Sequence, residues 1–475
     1  MAETPRHERG KHPRWGLIPG ARTRTGAVLV IAGLVPLLAM ASSTFSGPGV
    51  QTGPGSSAGP GAGPSSASSI PPTTVSLTFD GGRSDQMAAA DILEGHGLRG
   101  TFFVNSGFLG QPDFMSERDL HALEAAGNEI GGHTVSLADL GTVVGDEAAR
   151  QVCSDRSSLL ALGFKVSSFA YPFGTVTPEA ERHVAACGYS SGRGSGGIKT
   201  PFGCQDCAAA ETTRPADSFS TKAVVVGSDW TLDQLRGVVT SAERSGGWLQ
   251  LAFADIGDGG SGRSLSPRLF GEFVAWLVSG ARDNPASVRT VHEVIGGVTK
   301  PSVQGPAKPP AAAGSNALAN PGLEEQGKYG LPRCWQIGSY GDNAAILSTL
   351  SPGHSGQVAR RLDVSGYKSG DAKLLPTLDL GECSPSVLQG HAYSVSVWYT
   401  STAPTQFEFY YRNKAGTWTY WTASPWFPAG PAYRQVRWTT PVVPVDADGI
   451  SFGLNLFSDG QLATDDYEML DAGVP

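Results

Sequence analysis

Carboxylate and imidazole side chains follow several short apolar segments in the first half of this 475-residue chain. Asp80 directly follows one such segment and His133 a second, while Phe173 and the pair Ala254-Asp255 end two more. Carboxylates and imidazoles transfer protons and hold divalent metals. If the apolar segments are parallel strands of one barrel, these residues meet at the carboxyl ends of its strands, where such folds carry their chemistry.

The elements that position these residues alternate between strand and helix signals over residues 73–299. The predicted strands are Val75–Phe79, Gly100–Val104, Phe169–Tyr171, Val224–Val226 and Trp248–Phe253. The predicted helices are Ser84–His96, Glu117–Ala126, Thr231–Ser245 and Ser266–Val278. Repeated β–α units indicate an α/β domain of parallel strands curled into a barrel.

Four motifs in this region resemble, in order and spacing, those of NodB-homology polysaccharide deacetylases (carbohydrate esterase family 4). S-L-T-F-D-G-G at 76–82 is similar to the family's T-F-D-D-G, and N-E-I-G-G-H-T-V-S-L at 128–137 is similar to its H-[ST]-x-x-H. S-F-A-Y-P-F-G at 168–174 and W-L-Q-L-A-F-A-D-I at 248–256 are similar to the third and final motifs. The resemblance implies a distorted (β/α) barrel of NodB type and metal-dependent deacetylation of glycans.

The resemblance also implies a role for each matching position. Asp80 stands at the position of the general base, and His133 at that of the first metal-binding histidine. The family's metal-binding aspartate falls on Gly81, its second metal-binding histidine on Leu137 and its late general-acid histidine on Ala254. These three side chains offer no ligand and no proton.

The third motif has also changed. Phe173 takes the place of the usual tyrosine, although its backbone N–H stands where the family stabilises an oxyanion, and the arginine that often steadies the base falls on Ala170. A catalytic zinc site normally has three protein ligands and an open position. The sequence therefore predicts a degenerate site with little or no deacetylase activity, and we do not expect the family metal to bind.

An alternative is an active metal-dependent deacetylase with a relocated site. Asp85 lies one helical turn beyond Gly81, Asp255 adjoins Ala254, and His292 lies near the end of the predicted barrel. The simpler interpretation makes Asp85 a helix-start residue, Asp255 a hydrogen-bonded strand-end residue and His292 a surface histidine.

The last part of the chain, residues 316–475, follows a proline-rich linker predicted at 300–315. Period-two alternation over 393–399, 406–410 and 450–456 predicts an all-β sandwich. N-P-G-L-E-E at 320–325 and D-D-Y-E-M-L-D-A at 465–472 resemble the first and last strands of jelly-roll-like carbohydrate-binding modules.

Two sets of residues in this domain are candidates for binding. Trp418, Tyr420 and Trp421 follow a turn and are candidate platforms for sugar rings, whereas Trp398 is expected in the core. The resemblance makes Glu324 and Asp471 candidate ligands of a structural calcium; the alternative is a solvated acidic edge.

The N-terminus predicts export. Basic residues precede an apolar run at 27–41 that ends in Ala39-Met40-Ala41, so residues 1–41 form a signal peptide or an uncleaved signal anchor. A Gly/Ser/Pro tether at 42–72 follows. Six cysteines suggest disulfides within each domain, although Cys204-Gln205-Asp206-Cys207 also has the spacing of a zinc half-site or a redox motif. We expect a secreted or surface-anchored protein.

The net charge of -8 argues against nucleic-acid binding, which needs a basic face. The leading hypothesis is an exported protein that binds an extracellular or cell-wall polysaccharide, in contact with a membrane only if the signal segment is uncleaved. A cell-envelope protein without sugar affinity is the third possibility.

Overall fold

The computed structural model describes residues 70–259, 262–280 and 285–475. Residues 70–475 belong to one compact unit. The predicted signal segment at 1–41 and the tether up to residue 69 lie outside the described residues. Among the helices that are described, none combines the length and the hydropathy needed to cross a membrane.

The first domain, called the barrel domain below, alternates strands and helices as predicted. Its strands are β1 (Thr73–Asp80), β2 (Thr101–Val104), β3 (Glu129–Gly132), β4 (Ser168–Ala170), β5 (Ser191–Arg193), β6 (Val224–Val226), β7 (Gly247–Phe253), β8 (Asp255–Ile256), β9 (Ser264–Leu265) and β10 (Ser287–Val288). Its helices are α1 (Met87–Gly95), α2 (Glu117–Ala125), α3 (Gly145–Ala161), α4 (Pro178–Ala186), α5 (Leu232–Ser245), α6 (Pro267–Val278) and α7 (Val291–Ile295).

The strands form one curved parallel sheet in the order β5-β4-β3-β2-β1-β7-β6, with β10 added beside β1. The segment leading into β6 bonds back to β5, where Gly192 N–H donates to Ser218 O at 2.8 Å and Gly194 N–H to Thr221 O at 2.8 Å. These bonds close the sheet on itself. The predicted distorted barrel is confirmed.

Apolar side chains fill the barrel from its amino-terminal end. Phe103, Ala170 and Trp248 form a buried cluster with Val291 of α7, which lies across that end. The indole N–H of Trp248 donates to Ser76 Oγ at 2.9 Å, so the polar atom of this large ring is satisfied inside the barrel. The predicted site residues lie at the other end, where Asp80 is the last residue of β1.

The second domain, called the sandwich domain below, has ten antiparallel strands. They are β11 (Trp335–Tyr340), β12 (Ala344–Leu350), β13 (Ala359–Ser365), β14 (Asp371–Pro376), β15 (Ala392–Ser401), β16 (Phe407–Asn413), β17 (Trp418–Ala423), β18 (Gly430–Thr439), β19 (Ala447–Leu456) and β20 (Gly460–Gly473). They form two five-stranded sheets, β11-β14-β19-β16-β17 and β12-β13-β20-β15-β18. The predicted all-β sandwich is confirmed.

Alternation along the strands divides each sheet into a core face and an outer face. Val395 and Val397 of β15 and Phe409 of β16 belong to the buried core between the sheets. The expectation that Trp398 lies in this core is wrong. Because it follows Val397 along the strand, Trp398 lies on the outer face, where its ring stacks on His354 at 4.0 Å.

The segment joining the two domains lies against α3 rather than running free. Arg156 of α3 donates to Lys300 O at 2.7 Å and to Pro301 O at 2.9 Å. The Leu380 N–H of the sandwich domain donates to Glu147 Oε1 of α3 at 2.8 Å. The first part of the predicted linker at 300–315 is therefore held in place, and the two domains are in direct contact.

Three disulfides join Cys153 to Cys187, Cys204 to Cys207 and Cys334 to Cys383. Pairing within each domain, as predicted, is confirmed. The two cysteines of the C-x-x-C segment bond to each other, so neither is free to act as half of a zinc site.

Candidate functional site

A part-buried ion pair lies at the carboxyl ends of the barrel strands. Asp80, the last residue of β1, accepts hydrogen bonds from Arg193 Nη2 at 2.5 Å and 2.6 Å, one to each carboxylate oxygen. Arg193 ends β5 and is only 2% exposed. Its guanidinium also lies 5.3 Å from the centre of the Phe103 ring below. The charge of Asp80 is therefore balanced by an arginine that packing holds in place.

His133 follows β3 at the same end of the barrel. Its Nδ1 lies 2.7 Å from Ala170 O. Because a carbonyl oxygen only accepts, Nδ1 carries the proton, and Nε2 of the neutral ring holds a lone pair. Burial lowers the pKa of His133 below its usual value, although the charge of Asp80 acts in the opposite direction. The imidazole is neutral at physiological pH.

A buried carboxyl group supports the ends of β2 and β3 from below. Asp155 of α3 accepts the backbone N–H of Ser106 at 2.9 Å and that of His133 at 3.0 Å, and Tyr189 Oη at 3.4 Å. Burial raises the pKa of Asp155 to about 7, even though these hydrogen bonds favour the charged form. Asp155 is a positioning residue, because it acts on the backbone that carries His133.

Three positions that the resemblance matches to metal-binding or catalytic residues have distinctive backbone features. Gly81 has φ 98° and Leu137 has φ 58°, both in the left-handed region that side chains seldom occupy. Ala254 follows β7, and its carbonyl oxygen accepts a hydrogen bond from Gln86 Nε2 at 2.5 Å. The same amide group donates to Asp80 O at 2.7 Å, so Gln86 bridges the ends of β1 and β7.

Phe173 lies in a short 3₁₀ turn, Pro172–Gly174, directly after β4. Its φ is 60°, and its side chain is 62% exposed. An exposed aromatic ring at the rim of a polar cleft is a surface on which a sugar ring can stack. The structure thus brings Asp80, His133 and the turn of Phe173 to one end of the barrel, as predicted.

Only two of the three residues of the relocated-site alternative lie near each other. Asp85 and Asp255 lie near each other, since burial and then the Asp255 charge raise the pKa of Asp85, and Arg83 Nε lies 3.7 Å from Asp255. His292 is at the opposite end of the barrel, where its Nδ1 lies 2.9 Å from Ser167 Oγ just before β4. His292 therefore cannot act together with Asp85 and Asp255 at the carboxyl-end opening of the barrel, which is called the mouth below.

The three aromatic residues proposed as a sugar platform are divided between the faces of β17. Tyr420 is 42% exposed, and its ring meets Tyr410 edge-on at 5.9 Å. Trp418, two residues earlier on the same face, donates from its indole N–H to Asp379 O at 3.3 Å. Trp421 points the other way and packs at 6.2 Å against Phe409 of the core. The outer face therefore offers Trp418 and Tyr420, without Trp421.

The two calcium candidates are far apart. Glu324 Oε1 accepts the backbone N–H groups of Gln357 and Val358 at 2.7 and 3.1 Å. Asp471 instead pairs with His391 Nδ1 at 2.8 Å. Asp466, which is close to the Glu324 loop because its carboxylate accepts from Ser355 Oγ at 2.6 Å, lies five residues before Asp471 on β20. At about 3.4 Å per residue, Asp471 is roughly 17 Å further along the strand.

Comparison with known proteins shows which family the first part of the chain resembles. Residues 68–192 match the family model described as polysaccharide deacetylase. The resemblance to polysaccharide deacetylases is confirmed. A chitin deacetylase from Pestalotiopsis sp is 32% identical over 103 residues, which are 21% of this chain and 34% of that protein. The match thus spans about a third of this relative's length.

Two solved structures are similar to parts of this chain. A family 4 acetyl xylan esterase from Clostridium thermocellum, in complex with a cobalt ion, is 17% identical over 47% of this chain and 90% of that chain, with a TM-score of 0.33. The CBM22-1 xylan-binding domain from Paenibacillus barcinonensis is 12% identical over 35% of this chain and 99% of that chain, with a TM-score of 0.26.

The donor set at the mouth of this polysaccharide deacetylase-like barrel does not fit the family's metal. Within the described ranges, no three His, Cys, Asp or Glu side chains are grouped so that they could hold a metal ion. Both oxygens of Asp80 are engaged by Arg193, and one nitrogen of His133 is engaged by Ala170 O. A metal would therefore find one free imidazole nitrogen rather than three ligands.

Two polar residues that complete the deacetylase-like mouth were missed in the sequence. Arg193 lies between Gly192 and Gly194 at the end of a three-residue strand, which is too short to show a hydrophobic period. Gln86 was included in a predicted helix without a role. The signal that could have found Arg193 is the vacancy at Ala170, because a strand-end carboxylate in a barrel needs a cation from some neighbouring strand.

Replacing Gly81 by Asp is expected to lower the free energy of unfolding by about 1–2 kcal/mol without creating a zinc site. At φ 98° the backbone conformation is unfavourable for Asp and lowers the stability of the folded state. The Cβ itself would not clash, because the nearest atom is Arg83 Cγ at 3.9 Å. Chemical denaturation and zinc titration of the full chain measure both effects. The matched control is Gly95→Asp, where φ is not positive and the space is open. An unstrained variant that gains tight zinc binding would contradict the prediction.

Proposed function

We propose that this protein is an exported glycan-binding protein built on a polysaccharide deacetylase scaffold, with little or no deacetylase activity. The observation that carries the proposal is the state of the two family residues that remain. Asp80 is paired with Arg193, and the His133 ring bonds to a backbone carbonyl. Neither group has a neighbouring side chain at Gly81, Leu137 or Ala254 with which to share a metal or pass on a proton.

The same groups are suited to holding sugar hydroxyls. The carboxylate of Asp80 is part-exposed and can accept, and the Nε2 lone pair of His133 can accept a second hydroxyl hydrogen. Because Arg193 neutralises Asp80, the mouth favours an uncharged ligand over a strongly ionic one. The role of these residues is to bind and orient, and no bond is broken by them.

The sandwich domain supplies a second binding face. Trp418 and Tyr420 form an outward strip on the edge strand β17, and Tyr410 lies beside Tyr420. Aromatic rings on an exposed strand bury the apolar faces of pyranose rings. The glycans named by the relatives, chitin and xylan, are the first ligands to test, because both are long and uncharged.

Export is supported by the three disulfides, which persist in oxidising compartments. The apolar run at 27–41 with its basic flank supports a signal segment.

The deciding experiment combines acetate release and glycan retention on the full exported chain. We expect no acetate above background from acetylated chitin oligosaccharides or acetylated xylan, with or without added zinc or cobalt. We expect retention on insoluble chitin or xylan, reduced by at least about 10-fold in Trp418→Ala/Tyr420→Ala, since each aromatic–sugar contact contributes about 1 kcal/mol. Trp426→Ala is the control, because its exposed ring packs on Phe457 rather than on β17.

Either part can fail separately. Metal-dependent acetate release that is lost in His133→Ala would refute the proposal of a retired catalyst. Release that survives that change and is lost in Asp85→Asn would favour the relocated site, whose supporting observation is the neighbouring carboxyls of Asp85 and Asp255. Absence of retention on every glycan would favour an envelope protein without sugar affinity.

A further inference from the structure

We propose that the sandwich domain extends the barrel mouth, so that one uncharged glycan chain contacts both domains, with Tyr329 as the sandwich domain's contribution. The inference rests on the proposed glycan binding and specifies where the chain lies. Tyr329 lies outside the four sequence motifs and outside the aromatic strip on β17.

Tyr329 is the first observation. Its side chain is 92% exposed, the largest exposure among the large hydrophobic side chains of the described residues. It lies in the 3₁₀ turn Lys328–Gly330 with φ 58°. The turn is closed by two hydrogen bonds, from Gly327 N–H to Leu331 O at 2.8 Å and from Leu331 N–H to Lys328 O at 3.1 Å. The left-handed backbone of Tyr329 is unfavourable, and the exposed ring makes no packing contact that would offset this free-energy cost.

The position of this turn is the second observation. Lys328 Nζ lies 3.4 Å from Thr142 O, in the barrel loop that follows His133 and Leu137. The adjacent Gly141 is so close to the third-motif turn that a Cβ on it would lie 2.4 Å from Thr175 Cγ2. Thr175 is two residues beyond Phe173. The turn that carries Tyr329 is therefore linked, through the loop of Gly141 and Thr142, to the turn that carries Phe173.

The rim continues on the far side of Phe173. Gly174 abuts Ser195, to whose Oγ a Cβ on Gly174 would lie 2.0 Å. The loop after Ser195 carries Phe202, which is 55% exposed and packs at 5.3 Å against Trp230. Tyr329, Phe173 and Phe202 are thus three exposed rings on loops that follow one another in space.

The three exposed aromatic rings and the polar residues between them indicate which kind of ligand would bind here. Three separated rings offer several stacking surfaces, which suits a chain of pyranose units rather than a single sugar. The floor beneath them is the ion pair of Asp80 and Arg193 together with His133, whose Nδ1 bonds to Ala170 O. An uncharged glycan chain matches both, because each ring can cover a sugar face while hydroxyls reach the floor.

Direct contacts between the barrel domain and the sandwich domain hold the turn of Tyr329 in a fixed position relative to the barrel. Leu380 N–H bonds to Glu147 of α3, and Arg150 Nη2 lies 3.6 Å from Glu382 of the sandwich domain. The β16–β17 turn also presses on the barrel, since a Cβ on Gly416 would lie 2.6 Å from Val135 Cγ1. These contacts fix the sandwich beside the loop that carries His133, so Tyr329 needs no domain movement to reach a ligand.

The test measures affinity against chain length in the full protein carrying Trp418→Ala/Tyr420→Ala, so that the β17 strip does not contribute. The probes are N-acetylglucosamine and xylose oligosaccharides of two and six units, titrated by calorimetry. Tyr329→Ala is expected to weaken binding of the six-unit chain at least about 5-fold and to leave the two-unit chain unchanged. Tyr329→Phe, which keeps the ring, is expected to retain the affinity, and Trp426→Ala is the control.

Three outcomes would overturn the inference. If the six-unit chain binds and Tyr329→Ala changes nothing while Phe173→Ala weakens binding, the glycan lies in the barrel mouth alone and the proposed function stands. If neither oligosaccharide binds this background but the unmodified protein is retained on chitin or xylan through β17, the barrel mouth is not a glycan site. Binding by neither protein would refute the proposed function as well.

Discussion

Replacing Lys373 by Met is expected to lower the free energy of unfolding by about 3–5 kcal/mol, which is the usual cost of leaving a buried charge unpaired. Lys373 Nζ lies 2.6 Å from Asp371 Oδ2, 2.8 Å from Glu408 Oε2 and 3.0 Å from Tyr410 Oη. Asp371, Lys373 and Glu408 are buried, and the ammonium group of Lys373 lies beside the rings of Tyr340 and Tyr410. Without the lysine, two carboxyl groups share a site with no cation.

The effect should also depend on pH in a defined direction. Burial already raises the pKa of Asp371 to about 7, against the pull of Lys373. Removing the cation raises the folded-state pKa further above the unfolded value, so the stability of the variant is greatest at low pH and is lost as the pH rises. Urea denaturation at pH 5 and pH 8 should show the larger deficit at pH 8.

The control for Lys373 is an exposed ion pair in the same domain. Lys368 Nζ lies 2.9 Å from Asp342 Oδ2, with both side chains mostly in solvent. Lys368→Met should change the free energy of unfolding by less than about 1 kcal/mol. A deficit this small for Lys373→Met would mean that the two buried carboxyl groups are satisfied without it, which would contradict the account given for the cluster.

Asp155 should make the wild-type protein lose stability as the pH rises from about 4 to about 7. Its pKa is about 7 in the folded protein and near 3.8 in the unfolded chain, so the folded state holds the proton more tightly. This contribution is fully present below the unfolded pKa and is lost as the pH passes the folded value. A difference of about three pKa units sets an upper bound of roughly 4 kcal/mol.

Asp155→Asn is the variant that isolates this contribution. Its uncharged amide should give a flatter dependence of unfolding free energy on pH across the same interval. Asp155→Ala should be destabilised by about 2–5 kcal/mol at pH 5, because the buried N–H groups of Ser106 and His133 lose their acceptor. Asp146→Asn, at the exposed start of the same helix, is the control. Parallel pH curves for wild type and Asp155→Asn would refute the assignment.

The sequence predicted the fold where the apolar pattern was uninterrupted. The strands ending at Asp80 and Phe253, and the helix before Ser245, lie within one or two residues of their predicted bounds. Helix α3 was not predicted. Its buried face contains Glu147, Arg150, Gln151, Asp155 and Arg156, so polar residues stand where the helical period would show apolar ones.

The site was only partly predictable for the same reason. Asp80 and His133 were placed correctly because their motifs follow recognisable strands. Arg193 and Asp155 reach them from parts of the chain more than a hundred and about twenty residues away in sequence, and no local pattern reports such a contact. The faces of Trp398 and Trp421 were misjudged because alternation fixes which residues share a face but not which face meets the core.

The contact between α3 and the residues that follow the barrel bears on how this protein can be divided. A fragment ending at residue 299, where the composition suggests a boundary, would remove the Lys300 and Pro301 carbonyl oxygens that receive the buried guanidinium of Arg156. A fragment ending after Pro306 keeps them, together with the Pro306 oxygen that lies 3.5 Å from Arg150 Nη1. The barrel domain therefore extends to Pro306, because residues 300–306 are hydrogen-bonded to α3, even though the prolines in this segment suggest a linker.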